Sequence, residues 1–518
     1  MPRKKDVYYM CNVLLVSPSS NAYYTLTAPL GLSYIAAQLK DCFRVYGLDL
    51  NVYKQEYQFN DEDMLRLVKQ IINDYSIKYV AISILEETLE QAEKIARICK
   101  SLDICCIAGG IYPTLFPDNI SSDFQYNVRG DGEYVIKDLL LALENHTSVK
   151  EIIGLSYYSY KHNRWLHNGN AAAITCKDGF LPDRDVFSLL HGSYQYMSAR
   201  LITSRGCIYH CSFCTNRVFQ SRYMRRKLTD IVAEVKELVR QGIKEIIFAD
   251  DQFLGTTENE YQQALDIIVA LKNILIKNNI RINFQVRADH WLKSLDLVPQ
   301  LCEELSCISS QFVDKNAKFH TILNGHEMHG VGIDVGIESF VDRKLKLFKK
   351  GLTSRENIRC IRSILSLPVD LGIYSILFTP DITMEEVISE IKIFYAEYLN
   401  RGNKSKTLLA NYLTSLIPYR GSDVYNQLIA SGNLIPPRGY HFNDIRVAAF
   451  YAIVTLEIEG MIYRNDVSFE DVYNALIGFA DYCCRLSPSG KLKDALRLVT
   501  VNQSSNLTDI YSSLLLHD

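Results

Sequence analysis

The fold and chemistry of this chain are decided by a short stretch that reads TSRGCIYHCSFC over residues 203–214. It contains three cysteines, Cys207, Cys211 and Cys214, at spacings of four and three residues. A loop with this spacing can wrap three thiolates around one iron–sulfur cluster, and a cubane cluster then keeps one iron without a protein ligand. An open position is what a catalytic metal centre needs, whereas structural centres are closed. The stretch therefore predicts a catalytic iron–sulfur cluster.

The alternative for this stretch is a zinc site in which His210 supplies the fourth ligand. Structural zinc usually pairs Cys-x-x-Cys elements from two separated hairpins, so the iron–sulfur interpretation is favoured. For the other cysteines, among them Cys483 and Cys484, the default role is packing as small apolar side chains. Cys360, on a predicted helix, is the candidate hydrogen-atom donor.

The cysteine stretch follows the first of six predicted strands that alternate with helices from Leu201 to about residue 420. This alternation predicts a partial (β/α)6 TIM-type barrel with its chemistry on the loops after the strands. The first helix is expected over Asp230–Arg240, with Thr229 as N-cap and Gly242 as its stop. The six strands are expected at Ala199–Thr203, Glu245–Ala249, Asn283–Val286, Gly332–Gly336, Gly372–Leu377 and Leu409–Leu416.

A second alternation precedes the cysteines, over residues 11–145. Apolar strands alternating with amphipathic helices predict an α/β, Rossmann-like, doubly wound parallel sheet. Such sheets bind ligands at the carboxyl ends of their strands, where Ser17, Ser83, Gly109 and Gly130 are expected. The resulting domain prediction is a Rossmann-like domain at 1–147, a linker with a hairpin at 148–198, the partial barrel at 199–420 and a helical C-terminal region at 421–518.

Composition narrows the class of protein further. The chain has 518 residues, of which 48% are apolar and 22% are charged, which excludes disorder and coiled coil. Lys and Arg number 56 against 59 Asp and Glu, so there is no electrostatic case for a nucleic-acid partner. No apolar run reaches the length of about 18 residues that a membrane span needs. We therefore expect a cytoplasmic protein, and in so long a chain the 14 cysteines do not indicate a small disulfide scaffold.

The cysteine loop after a strand resembles the radical S-adenosylmethionine (SAM) superfamily. In that family SAM chelates the open iron of a [4Fe–4S] cluster and is cleaved to methionine and a 5′-deoxyadenosyl radical. The segments FADDQF (248–253), QVRAD (285–289), GIES (336–339) and LFTPD (377–381) end successive strands in the family's order. The resemblance implies that SAM is bound by Phe213, Asp250, Asp251, Arg287, Glu338, Ser339 and Thr379. Arg287 would pair with the methionine carboxylate by a bidentate contact.

The N-terminal segments APLGLSYIA (28–36), GGIYPT (109–114) and RGDGE (129–133) resemble the cobalamin-binding domain that precedes one large branch of this superfamily. Glycines there allow the backbone to approach a large corrin or its nucleotide tail closely. The resemblance implies cobalamin contacts from Ser17, Pro29, Gly31, Ser83, Gly109, Gly110 and Gly130. The Asp-x-His-x-x-Gly motif, whose histidine ligates cobalt in classical cobalamin enzymes, is missing from the first 145 residues. We expect no cobalt-ligating histidine from these loops.

Three functions fit these patterns. The first is cobalamin-dependent methylation of an unactivated carbon in a natural-product or peptide substrate, with a flavodoxin or ferredoxin as reductant. The second is a cobalamin-free radical epimerase, cyclase or rearrangement enzyme. The third is an iron–sulfur or zinc binding protein that does not cleave SAM. The substrate is not readable from the sequence, and the insertion Ser306–Met328, with nearby His329, is expected to be a surface excursion or to line the substrate pocket.

Overall fold

The structure is a computed structural model, and it describes residues 9–20, 25–169, 181–216, 222–313, 328–401, 406–464, 466–501 and 507–515. The chain forms two compact units. The first consists mainly of Met1–Arg205 and Met224–Ala249. The second consists mainly of Gly206–Arg217 and Asp250–Asp518.

The first unit is built on a seven-stranded sheet of order β2-β1-β3-β4-β5-β6-β7. Strands β1 to β5 are parallel, and β6 and β7 form the expected hairpin, which continues the sheet in antiparallel fashion. Residues 13–16 of β1 are fully buried, as expected for a parallel strand covered on both faces. The strands are β1 Asn12–Ser17, β2 Arg44–Asp49, β3 Ile77–Ser83, β4 Cys105–Gly109, β5 Tyr126–Val128, β6 Leu155–Ser159 and β7 Arg164–His167.

Helices cover both faces of this sheet, so the doubly wound prediction is confirmed. One face packs against α3 and α4 through side chains such as Val68 and Ile95, and the other against α1 and α6 through side chains such as Ala36 and Leu139. The helices are α1 Leu30–Leu39, α2 Leu50–Gln55, α3 Asp61–Asp74, α4 Leu89–Ser101, α5 Ile111–Leu115 and α6 Glu133–Glu144.

The chain reverses its direction of travel across this sheet between β1 and β3. From β1 it goes to β2 on one side and then crosses to β3 on the other, which creates a crevice at the carboxyl ends of β1 and β3. Ser17 ends β1 opposite Asp49, and Ser83 ends β3 opposite Gly109. The predicted placement of these residues along one edge is therefore confirmed.

The first unit also contains β8 Ser198–Leu201, which pairs in parallel with β11 Glu245–Phe248, and the short antiparallel pair of β9 Ser204–Arg205 and β10 Met224–Arg225. Helix α7 (Leu228–Arg240) begins before the predicted N-cap. Thr229 is therefore wrong as N-cap and lies inside the helix, where its hydroxyl bonds to Asp230. The predicted stop at Gly242 is correct, because Gly242 has the positive φ of 82° that favours glycine there.

The second unit contains three parallel strands, β12 Arg281–Arg287, β13 Val331–Glu338 and β14 Asp370–Ser375. The helices before, between and after them are α8 Glu258–Asn278, α9 Ala288–Leu297, α10 Gln300–Ser310, α11 Asp342–Leu347, α12 Ser354–Leu365 and α13 Met384–Phe394. Five of the six expected strands between residues 199 and 420 are thus present as β8, β11, β12, β13 and β14.

The sixth expected strand, Leu409–Leu416, is wrong. Its first half, residues 409–412, lies in helix α14 (Lys406–Tyr412), and in its second half only Ser415 makes an isolated parallel bridge, to Phe378. Strand and buried helix cannot be told apart by periodicity in a short apolar run, and the Leu and Ala residues here favour helix.

The described residues after 421 are mainly helical, as predicted for 421–518. The helices are α15 Asp423–Ala430, α16 Ile445–Ile453, α17 Glu459–Tyr463, α18 Phe469–Arg485, α19 Gly490–Arg497 and α20 Leu507–Leu515, with a small hairpin of β15 Leu434–Ile435 and β16 Gly439–Tyr440. Within the residues that the structure describes, no helix is both long and apolar enough to cross a membrane.

Candidate radical SAM and cobalamin site

The three predicted cluster cysteines lie on one loop of the second unit. Gly206 starts the loop with a φ of 86°, and the amide of Cys214 donates to the carbonyl of Cys211 at 3.1 Å. All three thiols are half-buried and free of disulfides. Between them, Ser212 anchors the loop, because its amide and hydroxyl donate to the carbonyls of Phe348 and Leu347, each at 2.9 Å.

Two N–H groups already point at the sulfur atoms of this loop. Arg287 Nη1 lies 3.6 Å from the Sγ of Cys211, and the amide of Asn216 lies 3.4 Å from the Sγ of Cys214. Burial raises the pKa of Cys207, and it raises that of Cys214 to about 11. Iron must therefore displace protons from these thiols when it binds. Half-buried thiols with N–H donors around them fit an iron–sulfur cluster.

The zinc alternative required His210 as a fourth ligand, and His210 is exposed on this loop. Among the described residues, no group of three His, Cys, Asp or Glu side chains converges closely enough to hold one metal ion. Three thiolates of a cubane bind three different irons, so a cluster does not require such convergence on one point.

The acidic pair at the end of β11 contacts the cysteine loop. Asp251 Oδ1 accepts from Asn216 Nδ2 at 2.6 Å, and its carboxylate also accepts from the backbone of Gly206. Burial, together with the neighbouring carboxylate of Asp250, raises the pKa of Asp251. Asp250 is buried, and its carbonyl accepts from Gln285 Nε2 at 2.8 Å. The FADDQF segment, which holds two of the predicted SAM contacts, is therefore joined to the cluster loop.

Glu338, at the end of β13, forms a buried ion pair with Lys350 at 2.7 Å. Its φ of 61° is unusual for a residue with a side chain, and such backbone strain tends to occur at functional sites. A Cβ at Gly336 would lie only 2.7 Å from the Glu338 carboxylate and 3.1 Å from the Lys350 ammonium. The glycine of the GIES segment therefore makes room for this ion pair.

Ser339 is fully buried, and its hydroxyl donates to Glu390. Glu390 also accepts from Lys344 at 3.0 Å and from Tyr412 at 2.5 Å, which forms a buried polar cluster. The side chains of Glu338 and Ser339 thus already have protein partners.

Thr379, after β14, differs from these two residues. Its side chain is 2% exposed, and among the described residues no group hydrogen-bonds its hydroxyl. A buried hydroxyl without a partner is costly, and a ligand atom would relieve that cost. Phe213, before the third cysteine, packs edge-on against Phe348 with ring centroids 5.2 Å apart.

The predicted cobalamin residues lie along the carboxyl edge of the sheet in the first unit. Ser17, Pro29, Ser83, Gly109, Gly110 and Gly130 are half-buried, and Gly31 is exposed. The hydroxyl of Thr114 donates to the carbonyl of Gly110 at 2.7 Å and accepts from the amide of Gly130 at 2.9 Å, so it joins the loops after β4 and β5. An accessible row of strand ends with hydroxyls, and with open space at Gly31, fits a large corrin ligand.

The structure gives different reasons for two of these glycines. Gly110 has a φ of 105°, and a Cβ there would lie 2.9 Å from both the amide nitrogen and the carbonyl oxygen of Ile84. Its lack of a side chain is therefore required by the protein's own backbone. A Cβ on Gly31 would meet nothing within 4 Å, so Gly31 leaves open space at the start of α1.

A buried histidine that sequence reasoning missed lies behind the end of β2. His191 Nε2 accepts from the amide of Asp49 at 2.9 Å, and Tyr196 bridges His191 Nδ1 and Asp49 Oδ2 at 3.2 Å each. Burial lowers the pKa of His191 to about 4 and raises that of Asp49 to about 6. No sequence signal identified this pair, because the two residues are 142 positions apart.

Arg205, two residues before Cys207 in the sequence, contacts the predicted cobalamin segment RGDGE. Its guanidinium pairs with Asp131 at 3.1 Å and with Glu133 at 2.9 Å, and it lies over the ring of Tyr34 on α1. These contacts all lie within the first unit, and through them Arg205 links the RGDGE segment to helix α1, which the sequence did not indicate.

The remaining candidates lie elsewhere. Cys360 is fully buried on α12, where burial raises its pKa. In the insertion, Ser306–Ser310 completes α10, and His329 pairs with Asp370 at 2.8 Å. His320 and His326, which the insertion also contains, lie outside the described residues.

Two family models match the chain. The B12 binding domain matches residues 21–140, and the Radical SAM superfamily matches residues 201–302. The chain therefore carries a B12-binding domain followed by a Radical SAM domain. The two domains imply a [4Fe–4S] cluster, SAM and cobalamin as cofactors.

The chain is also similar to individual proteins that carry these two domains or are named methyltransferases. An uncharacterized methyltransferase of Pyrococcus horikoshii is 26% identical over 443 residues, which are 82% of this chain and 84% of that protein. The cobalamin-dependent SAM radical enzyme OxsB, solved with aqua-cobalamin and SAM, superposes with a TM-score of 0.65 at 16% identity, over 98% of this chain and 79% of that one. The radical SAM methyltransferase TsrM of Kitasatospora setae gives 0.56 at 18% identity, over 74% and 71%. The two structural likenesses confirm the fold.

Proposed function

We propose that this chain is a cobalamin-dependent radical SAM methyltransferase that methylates an unactivated carbon of a natural-product or peptide substrate. The observation that carries the proposal is the loop of Cys207, Cys211 and Cys214, with N–H donors at two of its sulfurs, in a chain that begins with a doubly wound sheet. When bound, the cluster, SAM and cobalamin supply radical and methyl-transfer chemistry that side chains lack. The methyltransferase names of the Pyrococcus protein and of TsrM support the methyl-transfer part.

The chain's own residues have positioning roles in this proposal. The three cysteines hold the cluster, and Asp251 fixes their loop through Asn216 and Gly206. Asp250 neighbours Asp251, at the strand end where the family binds the ammonium of SAM. The unpartnered hydroxyl of Thr379 would bond the adenosyl part of SAM. Phe213 would lie near the adenine.

Glu338 and Ser339 take a different part. Their side chains already bond Lys350 and Glu390, so they shape the end of β13, and the contacts to SAM there would come from its backbone. In the first unit, Ser17 and Ser83 flank the crevice between β1 and β3. Their hydroxyls, with the peptide groups beside Gly109 and Gly130, would contact the corrin or its tail.

The decisive experiment is anaerobic reconstitution followed by counting of iron, sulfide and cobalt per chain. Replacement of Cys207, Cys211 and Cys214 together by Ala removes every thiolate ligand, so this variant should lose the cluster and all 5′-deoxyadenosine formation. A matched control replaces Cys302, Cys307 and Cys484, which are also half-buried but lie on helices outside the loop. The control should keep both properties.

Each outcome decides among the candidate functions. A wild-type chain that binds close to one cobalamin and yields a methylated product with 5′-deoxyadenosine supports the proposal. Formation of 5′-deoxyadenosine without bound cobalamin or methylated product would favour an epimerase, cyclase or rearrangement enzyme. SAM cleavage by the triple cysteine variant under dithionite would overturn the radical SAM assignment. The flavodoxin or ferredoxin reductant and the cytoplasmic location stay predictions.

A further inference from the structure

Arg287 was expected to bind the carboxylate of SAM, but its guanidinium is already held by the protein. Nε donates to Asp289 Oδ1 at 3.0 Å, and Nη2 lies 3.4 Å from Asp289 Oδ2 and 2.6 Å from the carbonyl of Lys350. Nη1 donates to the sulfur of Cys211 at 3.6 Å. A guanidinium has five N–H groups, so these four contacts within the described part of the chain leave one. A bidentate carboxylate contact needs two.

One face of the same guanidinium is covered by Tyr209. The Arg287 Cζ lies 3.7 Å from the centre of the Tyr209 ring, a close cation–π contact. Tyr209 belongs to the cluster loop, between Cys207 and Cys211. The ring thus holds the arginine over the loop whose sulfur it contacts.

Tyr209 is in turn fixed by a buried histidine. His290, on α9, is 1% exposed, and the hydroxyl of Tyr209 bonds its Nε2 while the hydroxyl of Tyr261 bonds its Nδ1. A neutral imidazole donates from one nitrogen and accepts at the other, so both tyrosines can be satisfied at once. This cluster of Tyr209, His290 and Tyr261 is not used by SAM cleavage as proposed above.

We propose that Arg287 is a positioning residue for the cluster: its guanidinium, held by Asp289, Lys350 and the Tyr209 ring, donates to the Cys211 sulfur and raises the cluster's reduction potential. Hydrogen bonds and positive charge near the sulfurs stabilise the more negative, reduced cluster. His290 acts through Tyr209, by keeping the ring under the guanidinium. The inference rests on the proposed function only in requiring that a cluster assembles.

The test is a redox titration of the reconstituted cluster without SAM, in which dithionite supplies one electron per cluster and the reduced form is followed by electron paramagnetic resonance. Arg287→Gln should disfavour reduction about tenfold, which is about 59 mV for one electron. Tyr209→Phe keeps the stacked ring but cuts its bond to His290, so it should shift the midpoint in the same direction by less. Arg287→Lys keeps the charge but loses the planar stack, and should fall between wild type and Arg287→Gln.

A remote arginine provides the matched control. Arg362 is half-exposed and pairs with Glu397 at 2.7 Å, so Arg362→Gln removes the same charge without touching the cluster loop and should not shift the midpoint. SAM affinity, measured by equilibrium dialysis, separates the two possible roles of Arg287. An unchanged midpoint in Arg287→Gln and Tyr209→Phe would overturn the inference, and a tenfold loss of SAM affinity alongside it would restore the carboxylate role. A wild-type chain that assembles no cluster would instead overturn the proposed function.

Discussion

Gly110 provides the sharpest test of why glycine occurs at the carboxyl edge of the first sheet. Its φ of 105° is rarely adopted by residues with a side chain, and a Cβ would lie 2.9 Å from the Ile84 backbone nitrogen and oxygen. The preceding Gly109 is a natural control, because a Cβ there would make only ordinary contacts, the nearest at 3.7 Å to the carbonyl of Val128. We therefore compare Gly110→Ala with Gly109→Ala.

The expected cost of Gly110→Ala follows from these contacts. The backbone conformation of Gly110, with φ 105° and ψ −167°, is adopted essentially by glycine alone and costs about 1–3 kcal/mol for a residue with a Cβ. Displacing Ile84 weakens two backbone bonds, from its amide to Gly109 at 2.8 Å and from Tyr112 to its carbonyl at 3.2 Å, at about 1 kcal/mol each. The sum is about 3–5 kcal/mol. For a unit of this size that corresponds to a melting temperature lower by roughly 6–20 °C.

The chain contains two tryptophans, which makes the assay specific. Trp165, on β7, is buried in the first unit, and Trp291, on α9, is buried in the second. In a Trp291→Phe background, tryptophan fluorescence during urea unfolding reports on the first unit alone. Gly110→Ala should lower the urea midpoint strongly, whereas Gly109→Ala should leave it within the range of a surface substitution. Equal midpoints for the two variants would refute the reasoning from Gly110 geometry.

Three further predictions address the cofactor edge, pH dependence and a buried charge. Gly31→Trp should reduce the amount of cobalt bound per chain, whereas Gly31→Ala should not. Thermal unfolding should be unchanged in both variants, because a Cβ at Gly31 meets nothing within 4 Å. Equal cobalt in the two variants would show that Gly31 is not part of the cobalamin site. The lowered pKa of His191 makes the free energy of unfolding rise between about pH 4 and 6.5, whereas the raised pKa of Asp49 makes it fall between about pH 3.8 and 6. Asp49→Asn removes the second effect, so urea titrations of this variant should show stability that rises with pH. A pH profile equal to that of the wild type would contradict this. Lys350→Met leaves the Glu338 carboxylate buried without its partner, so it should destabilise the second unit by about 3–5 kcal/mol. Adding Glu338→Gln to this variant should restore part of the stability. A loss of unfolding free energy below about 1 kcal/mol, followed by Trp291 fluorescence during urea unfolding, would contradict the role of the ion pair.

Much of the local structure could be predicted from sequence because it depends on neighbours along the chain. Strand β1 is an unbroken apolar run and helix α1 begins directly after Pro29, and both are signals that the local sequence carries. The family likewise followed from three cysteines within eight residues. The sixth strand failed for the opposite reason, because its apolar run carried no periodicity that separates strand from buried helix.

The candidate site shows the same division. The sequence placed Arg287, Glu338 and Thr379 after successive strands, which the structure bears out. It could not show that Arg287 and Glu338 are already bonded while the Thr379 hydroxyl is not. The sequence gives the type of a side chain but not its surroundings, and only its neighbours in space decide whether a polar atom has a hydrogen-bond partner.

The sequence by itself thus determined the alternation of strands and helices, the cysteine spacing and the family, because each of these features is encoded by residues that lie close together along the chain. Tertiary structure alone decided which distant groups meet, such as His191 with Asp49 across 142 positions, or Arg287 with Cys211 across 76. Only the tertiary structure shows why position 110 requires a glycine: a Cβ there would collide with the backbone of Ile84, 26 residues earlier in the chain. The physical reason is that hydrogen bonds, ion pairs and close contacts act over a few ångströms, and a residue's neighbours at that range are chosen by the fold.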